Sequence, residues 1–266
     1  SSKFSSAFVV TMLLSHTVLA PLTAVAQEQD ASPQQVQKTT DSNSNESAEA
    51  AQRAVADPID NWMPDKALQV AVAGALGLEV SKITKSDMLQ LTFLYGVGGG
   101  IASLEGLQYA SNLSALYLND NQITDLTSLR DLSNLSNLQL NDNQITDLTP
   151  LRDLSNLSVL YLNDNQFTDI TPLRDLSNLS LLYLNHNQIT DLTPLRDLSN
   201  LKQLNLNGNH VSDLTLFKDL SNLSALYLDD NQITDLTPLR DLSNLSALHL
   251  DDNQITDLTP LRDLSN

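Results

Sequence analysis

From Asn112 onward the chain repeats one phrase at a fixed interval of 22 residues. Copies open at Asn112, Asn134, Asn156, Asn178, Asn200, Asn222 and Asn244, and a weaker copy in the same phase opens at Gln90. In the weak copy Leu91, Leu94, Ile101, Leu104 and Leu107 keep the register. This period constrains the fold more than any composition does. A single copy, with Leu135, Leu138, Leu140, Ile145, Leu148, Leu151 and Leu154, cannot bury its own apolar set. Stacked copies can, each coil covering the next, so the expected architecture is a solenoid.

The letters within a copy set the local structure. "NLQL" alternates inward and outward side chains, as a strand does. Successive strands then pair in parallel, about 4.8 Å apart. The spacing L-x-x-L-x-L-x-x-N-x-I is that of leucine-rich repeats. The predicted fold class is α/β: a leucine-rich-repeat solenoid with a curved parallel sheet on the concave side, 3-10 turns on the convex side and an N-terminal helical cap. Asn121, Asn143, Asn165, Asn187, Asn209, Asn231 and Asn253 form a ladder whose amides can satisfy backbone groups where the chain leaves each strand. In "TPL", Thr149 is expected to cap and Pro150 to hold the first position of the 3-10 turn.

Upstream, "PDKALQVAVAGALG" predicts a helix from near Pro64 to Gly77, with Leu68, Ala71, Val72, Ala75 and Leu76 on one face. Thr84 and Ser86 are candidate caps of a second short helix. The expected organisation is an export signal over 1–26, a polar flexible stalk over 27–55, the helical cap over 56–89 and repeats over 90–266. Lys3, the apolar run "AFVVTMLL" and the small residues Ala24 and Ala26 carry the export reading. The stalk has almost no large apolar residue with which to offset ordering entropy. No cap follows the last copy, so the natural protein is expected to continue beyond it.

A formal charge of -18 and a pI near 4.2 argue against nucleic acid and against docking on anionic lipid. With no cysteine there is no disulfide framework and no zinc knot.

The export signal, "DNWMPDKALQVAVAGALG", "DMLQLTFL", "IASLEGLQYASNL" and then "LYLNDNQITDLTPLRDLSNL" together resemble the internalins and internalin-like surface proteins of Gram-positive bacteria. The resemblance covers roughly residues 57–266. It implies a curved receptor-binding domain on a bacterial surface, whose concave aromatic residues contact a host protein. The sequence carries no cell-wall sorting motif, so wall attachment is inferred only.

Buried letters stay fixed because every coil must fit its neighbours. Outward strand letters drift. One such column reads Ala115, Asn137, Val159, Leu181, Gln203, Ala225, Ala247, and the next reads Tyr117, Gln139, Tyr161, Tyr183, Asn205, Tyr227, His249. After the strand come Asp120, Asp142, Asp164, His186, Gly208, Asp230 and Asp252. A surface of tyrosines rimmed by aspartates suits protein recognition. The candidate ligand-binding residues are Tyr117, Val159, Tyr161, Leu181, Tyr183, Tyr227 and His249, with Asp120, Asp142 and Asp164 on the rim. The bland alternative is that duplication copied one Tyr along the array. The copy from Asn200 departs most (Lys202, Asn205, Gly208, His210, Val211, Leu216, Phe217, Lys218), through drift or to seat a ligand or bend.

Catalytic, cofactor and metal sites are not expected. His186, His210 and His249 occupy different positions of different copies. Asp229 and Asp251 stack beside Asp230 and Asp252, which reads as an acidic rim before a calcium site. Gly98-Gly99-Gly100 lacks the Lys-Ser/Thr of a phosphate loop. The expected protein is a secreted adhesion module of the cell surface, not an enzyme. It would be wall-attached through a region beyond the last copy, with no membrane insertion of the mature chain. It would be a monomer that binds a host receptor or mucin-like glycoprotein. The alternatives are a spacer that projects a downstream domain, or a repeat domain appended to a wall-active enzyme.

Overall fold

The structure is a computed structural model that describes residues 57–264. The expected export signal and polar stalk lie outside the described residues. Eight three-residue strands form one parallel sheet in chain order: β1 Phe93–Tyr95, β2 Ala115–Tyr117, β3 Asn137–Gln139, β4 Val159–Tyr161, β5 Leu181–Tyr183, β6 Gln203–Asn205, β7 Ala225–Tyr227 and β8 Ala247–His249. The divergent copy supplies β1, which pairs Phe93 with Ala115 and Tyr95 with Tyr117. The central residue of each strand from β1 to β7 is fully buried: Leu94, Leu116, Leu138, Leu160, Leu182, Leu204 and Leu226. Its two neighbours point to the other face, as the strand period requires.

Opposite the sheet each coil returns through a short 3-10 turn, such as Thr149–Leu151. Here the structure corrects the expected cap. Asp147 Oδ1 accepts the backbone N–H of Thr149 at 2.8 Å, and Leu148, which holds the capping position, makes no side-chain capping bond. Thr149 takes the first position and Pro150 the second. A carboxylate is the stronger acceptor, and an N–H missing anywhere in the first turn costs no intrahelical bond. The same bond recurs at Asp125, Asp169, Asp191, Asp213, Asp235 and Asp257. Bonding to Thr149 holds the Asp147 carboxyl below its ordinary range. This column of charge therefore has a backbone duty.

The Asn ladder closes the coils from inside. Asn165 Oδ1 accepts from Ile145 N–H at 3.0 Å, while its Nδ2 donates to the carbonyls of Leu140, Leu162 and Asn163. The pattern holds from Asn121 to Asn253 with one exception. Phe167 stands where its neighbours have Ile145 and Ile189, and Asn187 Oδ1 is left buried without a hydrogen-bond partner.

The cap is built on α1, Lys66–Leu76. Asp65 caps it by accepting from Leu68 N–H at 3.0 Å, and Gly77 ends it in the left-handed conformation. Leu68 and Val72 are fully buried against the first coil. Ala75, expected on that face, is exposed instead. Gln69, not expected on that face, is buried and donates to the Met63 carbonyl at 2.8 Å. The second Asp65 oxygen accepts from Ala102 and Ser103 N–H at 2.8 and 2.9 Å, tying the cap to the first coil. The expected second helix is a single 3-10 turn, Asp87–Gln90. Thr84 caps it by accepting from Asp87 N–H, whereas the Ser86 side chain makes no capping bond.

Candidate functional site

The outward face of the sheet presents side chains that the packing of the coils does not consume. Alternation puts positions one and three of every strand there, half exposed in most coils. The register places Val159 beside Leu181 and Tyr161 beside Tyr183. Their rings meet edge to face with centroids 5.0 Å apart. Tyr183 leans across the intervening Asn205 towards Tyr227 at 6.4 Å, and Tyr227 lies 4.9 Å from His249. Tyr161, Tyr183, Tyr227 and His249 thus form one continuous aromatic run. Gln139 separates that run from Tyr117.

Sequence reasoning missed two members of the second cluster. Phe93 packs edge-on against Tyr117 at 5.1 Å, and Tyr95 heads the Tyr column. They are 45% and 61% exposed, high for aromatic residues. The signal was present, since each stands 22 residues before Ala115 or Tyr117 in the copy that opens at Gln90.

The hydroxyls divide into two kinds. Tyr117 Oη accepts from Asn137 Nδ2 and Tyr183 Oη donates to Gln203 Oε1, each at 3.1 Å. No hydrogen bond occupies the hydroxyls of Tyr161 and Tyr227 among the described residues, which leaves both for a ligand. Burial raises the pKa of Tyr161 and Tyr183 above the usual phenol value, so both remain protonated donors.

The rim residues have a second identity. Asp120, Asp142, Asp164, His186, Asp230 and Asp252 all have positive φ, between 53° and 58°, and so do Gly98 and Gly208 in the same column. Few side chains tolerate that region, and Asp, Asn and Gly do so best. Backbone geometry therefore selects Asp here before any ligand does, and Gly208 in the column was the sequence clue. The carboxylates remain exposed. Burial, then repulsion from Asp164 and Asp120, raises the Asp142 pKa.

His186 differs from its column. Its Nδ1 lies 3.0 Å from Asp164 Oδ1, and its ring fills the space a side chain at Gly208 would need. Asp229, weighed above as a calcium ligand, has both oxygens engaged. Oδ1 accepts from Asp251 N–H at 2.8 Å and Oδ2 from Asn207 Nδ2 at 3.2 Å. Among the described residues no group of three His, Cys, Asp or Glu side chains could hold a metal ion. None of the described helices is long and apolar enough to cross a membrane.

In the copy that opens at Asn200, Leu216 and Phe217 turn inward and are buried. Lys202 and His210 are exposed.

The family model for leucine-rich repeats matches residues 111–153, 133–175, 155–197, 177–222 and 221–263. Internalin C2 from Listeria monocytogenes is 43% identical, with 79% of this chain and 93% of that one covered and a TM-score of 0.75. An internalin, inlF, of the same species is 31% identical, covering 78% of this chain and 75% of that one at a TM-score of 0.59. Internalin H of that species is 40% identical over 62 residues, which are 23% of this chain and 11% of that protein. The matched stretch thus spans about a tenth of that curated relative.

Proposed function

The chain belongs to the internalin-like leucine-rich-repeat proteins, and from that premise we propose that it is an exported bacterial adhesion module. It binds a protein or glycoprotein ligand through the aromatic face of its sheet. The observation that carries this reading is the run Tyr161–Tyr183–Tyr227–His249. Core packing does not require these side chains, yet they are gathered into contact across the coils. Tyrosine combines large apolar area with a polar tip and is enriched where interfaces concentrate their energy. Eight strands at about 4.8 Å spacing make a sheet some 35 Å long, enough for a standard interface of about 800 Å² per partner.

The chemistry supplies binding without a reaction. Tyr161 and Tyr227 present rings and hydroxyls, Val159 and Leu181 widen the apolar area, and Asp120, Asp142 and Asp164 add negative potential along one edge. Residues 112–265 hold 21 Asp against 8 Lys or Arg. A basic partner is therefore favoured in encounter. The test is a binding screen of the full chain against host surface proteins and mucins, repeated with Tyr161→Ser and Tyr183→Ser. A hit that both substitutions weaken supports the reading. Adhesion of the intact protein that neither substitution changes would make the repeats a spacer.

A further inference from the structure

β1 is the outermost strand at its end of the sheet. The Thr92 carbonyl accepts from Ala115 N–H at 3.2 Å and Gly96 N–H donates to the Tyr117 carbonyl at 2.8 Å, so the even-numbered residues face β2. Alternation along a parallel strand turns the N–H and C=O of Phe93 and Tyr95 to the opposite edge. Among the described residues none of these four groups has a partner.

Along that edge, between β1 and α1, runs a groove of about 510 Å³, with Val70, Ala71, Gly74 and Ala75 on its helical wall and Leu91 and Phe93 on its strand wall. No charged residue lines it, although the chain carries -18 overall. Val70 is 66% exposed on that wall. Gly74 is the informative residue. Its φ is not left-handed, and a Cβ there would meet nothing within 4 Å. Glycine weakens a helix interior relative to alanine, and here neither backbone nor internal packing asks for it. What it does is keep the helical wall low opposite the unpaired strand edge.

We infer that this groove takes an extended, uncharged peptide segment of a partner protein, which joins the sheet beside β1. Unpaired edge groups accept a strand by main-chain hydrogen bonds, with pockets reading alternate side chains. The N–H and C=O of Phe93 and Tyr95 fix the peptide backbone. Alternate peptide side chains rest on Ala71, Gly74 and Ala75, and this apolar wall selects small or β-branched residues. The side chains between them continue the outward face next to Phe93 and Tyr95. Phe93 already packs on Tyr117, so the added strand prolongs the surface proposed to bind ligand. The inference does not depend on the run from Tyr161 to His249.

The test uses the full chain and a short capped, uncharged peptide of alternating valine and threonine with a serine at each end. Binding is expected to slow hydrogen exchange at the amides of Phe93 and Tyr95, read by NMR. Methylating the peptide nitrogens on the edge that faces β1 should weaken binding about tenfold or more, because each removes a main-chain donor. Methylating the opposite edge should leave it unchanged. Gly74→Leu should weaken binding similarly with an unaltered circular dichroism spectrum, and Tyr161→Ser should not affect it. Equal binding of both methylated peptides, or unchanged exchange at Phe93 and Tyr95, overturns the proposal. So does a dimer in sedimentation that Gly74→Leu abolishes and the peptide cannot displace, since the occupant would then be a second copy.

Discussion

The broken rung at Asn187 allows a difference measurement within one ladder. Asn165 and Asn187 are equally buried, and each donates from Nδ2 to three carbonyls. Every one of those carbonyls keeps a second donor. Leu140 O also receives Asn143 Nδ2, Leu162 O is shared by both ladder members, and Leu184 O also receives Asn209 Nδ2. Asn163 O and Asn185 O receive the N–H of Asp142 and Asp164. The two residues differ in one bond. Asn165 Oδ1 satisfies the Ile145 N–H, and Asn187 Oδ1 satisfies nothing. Replacing either by Leu forfeits three shared donor bonds. Replacing Asn165 also orphans a buried amide, at about 1–3 kcal/mol. Asn165→Leu should therefore cost about 3–5 kcal/mol in total, and Asn187→Leu less by that 1–3 kcal/mol. At some 2–4 °C per kcal/mol for a domain of this size, the two melting temperatures should differ by about 2–12 °C. Urea unfolding followed by circular dichroism gives the free energies directly. Equal losses would refute the reasoning, because Oδ1 would then contribute nothing even where it has a partner.

Other outcomes follow from the same structure. Leu160→Ala removes a fully buried side chain from the middle of the array and should cost about 2–5 kcal/mol in the same urea assay. Asp65→Ala removes a helix cap and two inter-element bonds together, for about 2–4 kcal/mol. Burial alone would raise the Asp65 pKa, but the amides of Ser103, Leu68, Ala102 and Ala67 jointly lower it. Its stabilisation is thus present above the unfolded carboxylate pKa near 3.9 and is lost as pH falls through the lower folded value. Wild type and Asp65→Ala should converge in stability on acidification, as urea titrations at stepped pH would show. Gly208→Asp, though matched to its column, should destabilise by about 0.5–1 kcal/mol because it displaces the His186 ring, and adding His186→Asp should recover most of that in a double-mutant cycle. Asp142→Asn with Asp164→Asn suits the left-handed backbone and should leave the fold intact. It should slow ligand capture and flatten its salt dependence in surface plasmon resonance, while Tyr161→Ser shortens the lifetime of the complex.

Much of this protein is legible in its letters because its contacts are between equivalent positions of neighbouring copies. A 22-residue period with Leu at fixed places leaves one way to bury those leucines, so coil stacking, sheet order, strand register and the Asn ladder all follow from spacing. The tyrosine column follows as well, since strand alternation decides which side chains face outward. What the letters did not reveal depends on backbone conformation or on contacts outside the period. Asp142 and Asp164 looked like ligand chemistry, yet positive φ already favours Asp there, and φ is set by how the chain leaves the strand. Asp147 acquires its role as an acceptor only because the 3-10 turn presents the Thr149 amide to it. Phe167 differs from Ile145 by one apolar substitution, and only packing among neighbouring coils shows that a rung is lost at Asn187. Asp65 lies 37 residues from Ala102 in sequence, and the edge of β1 meets Gly74 only because α1 folds back along it. Those pairings lie outside the repeat, so no periodicity could announce them, and tertiary structure alone decided them.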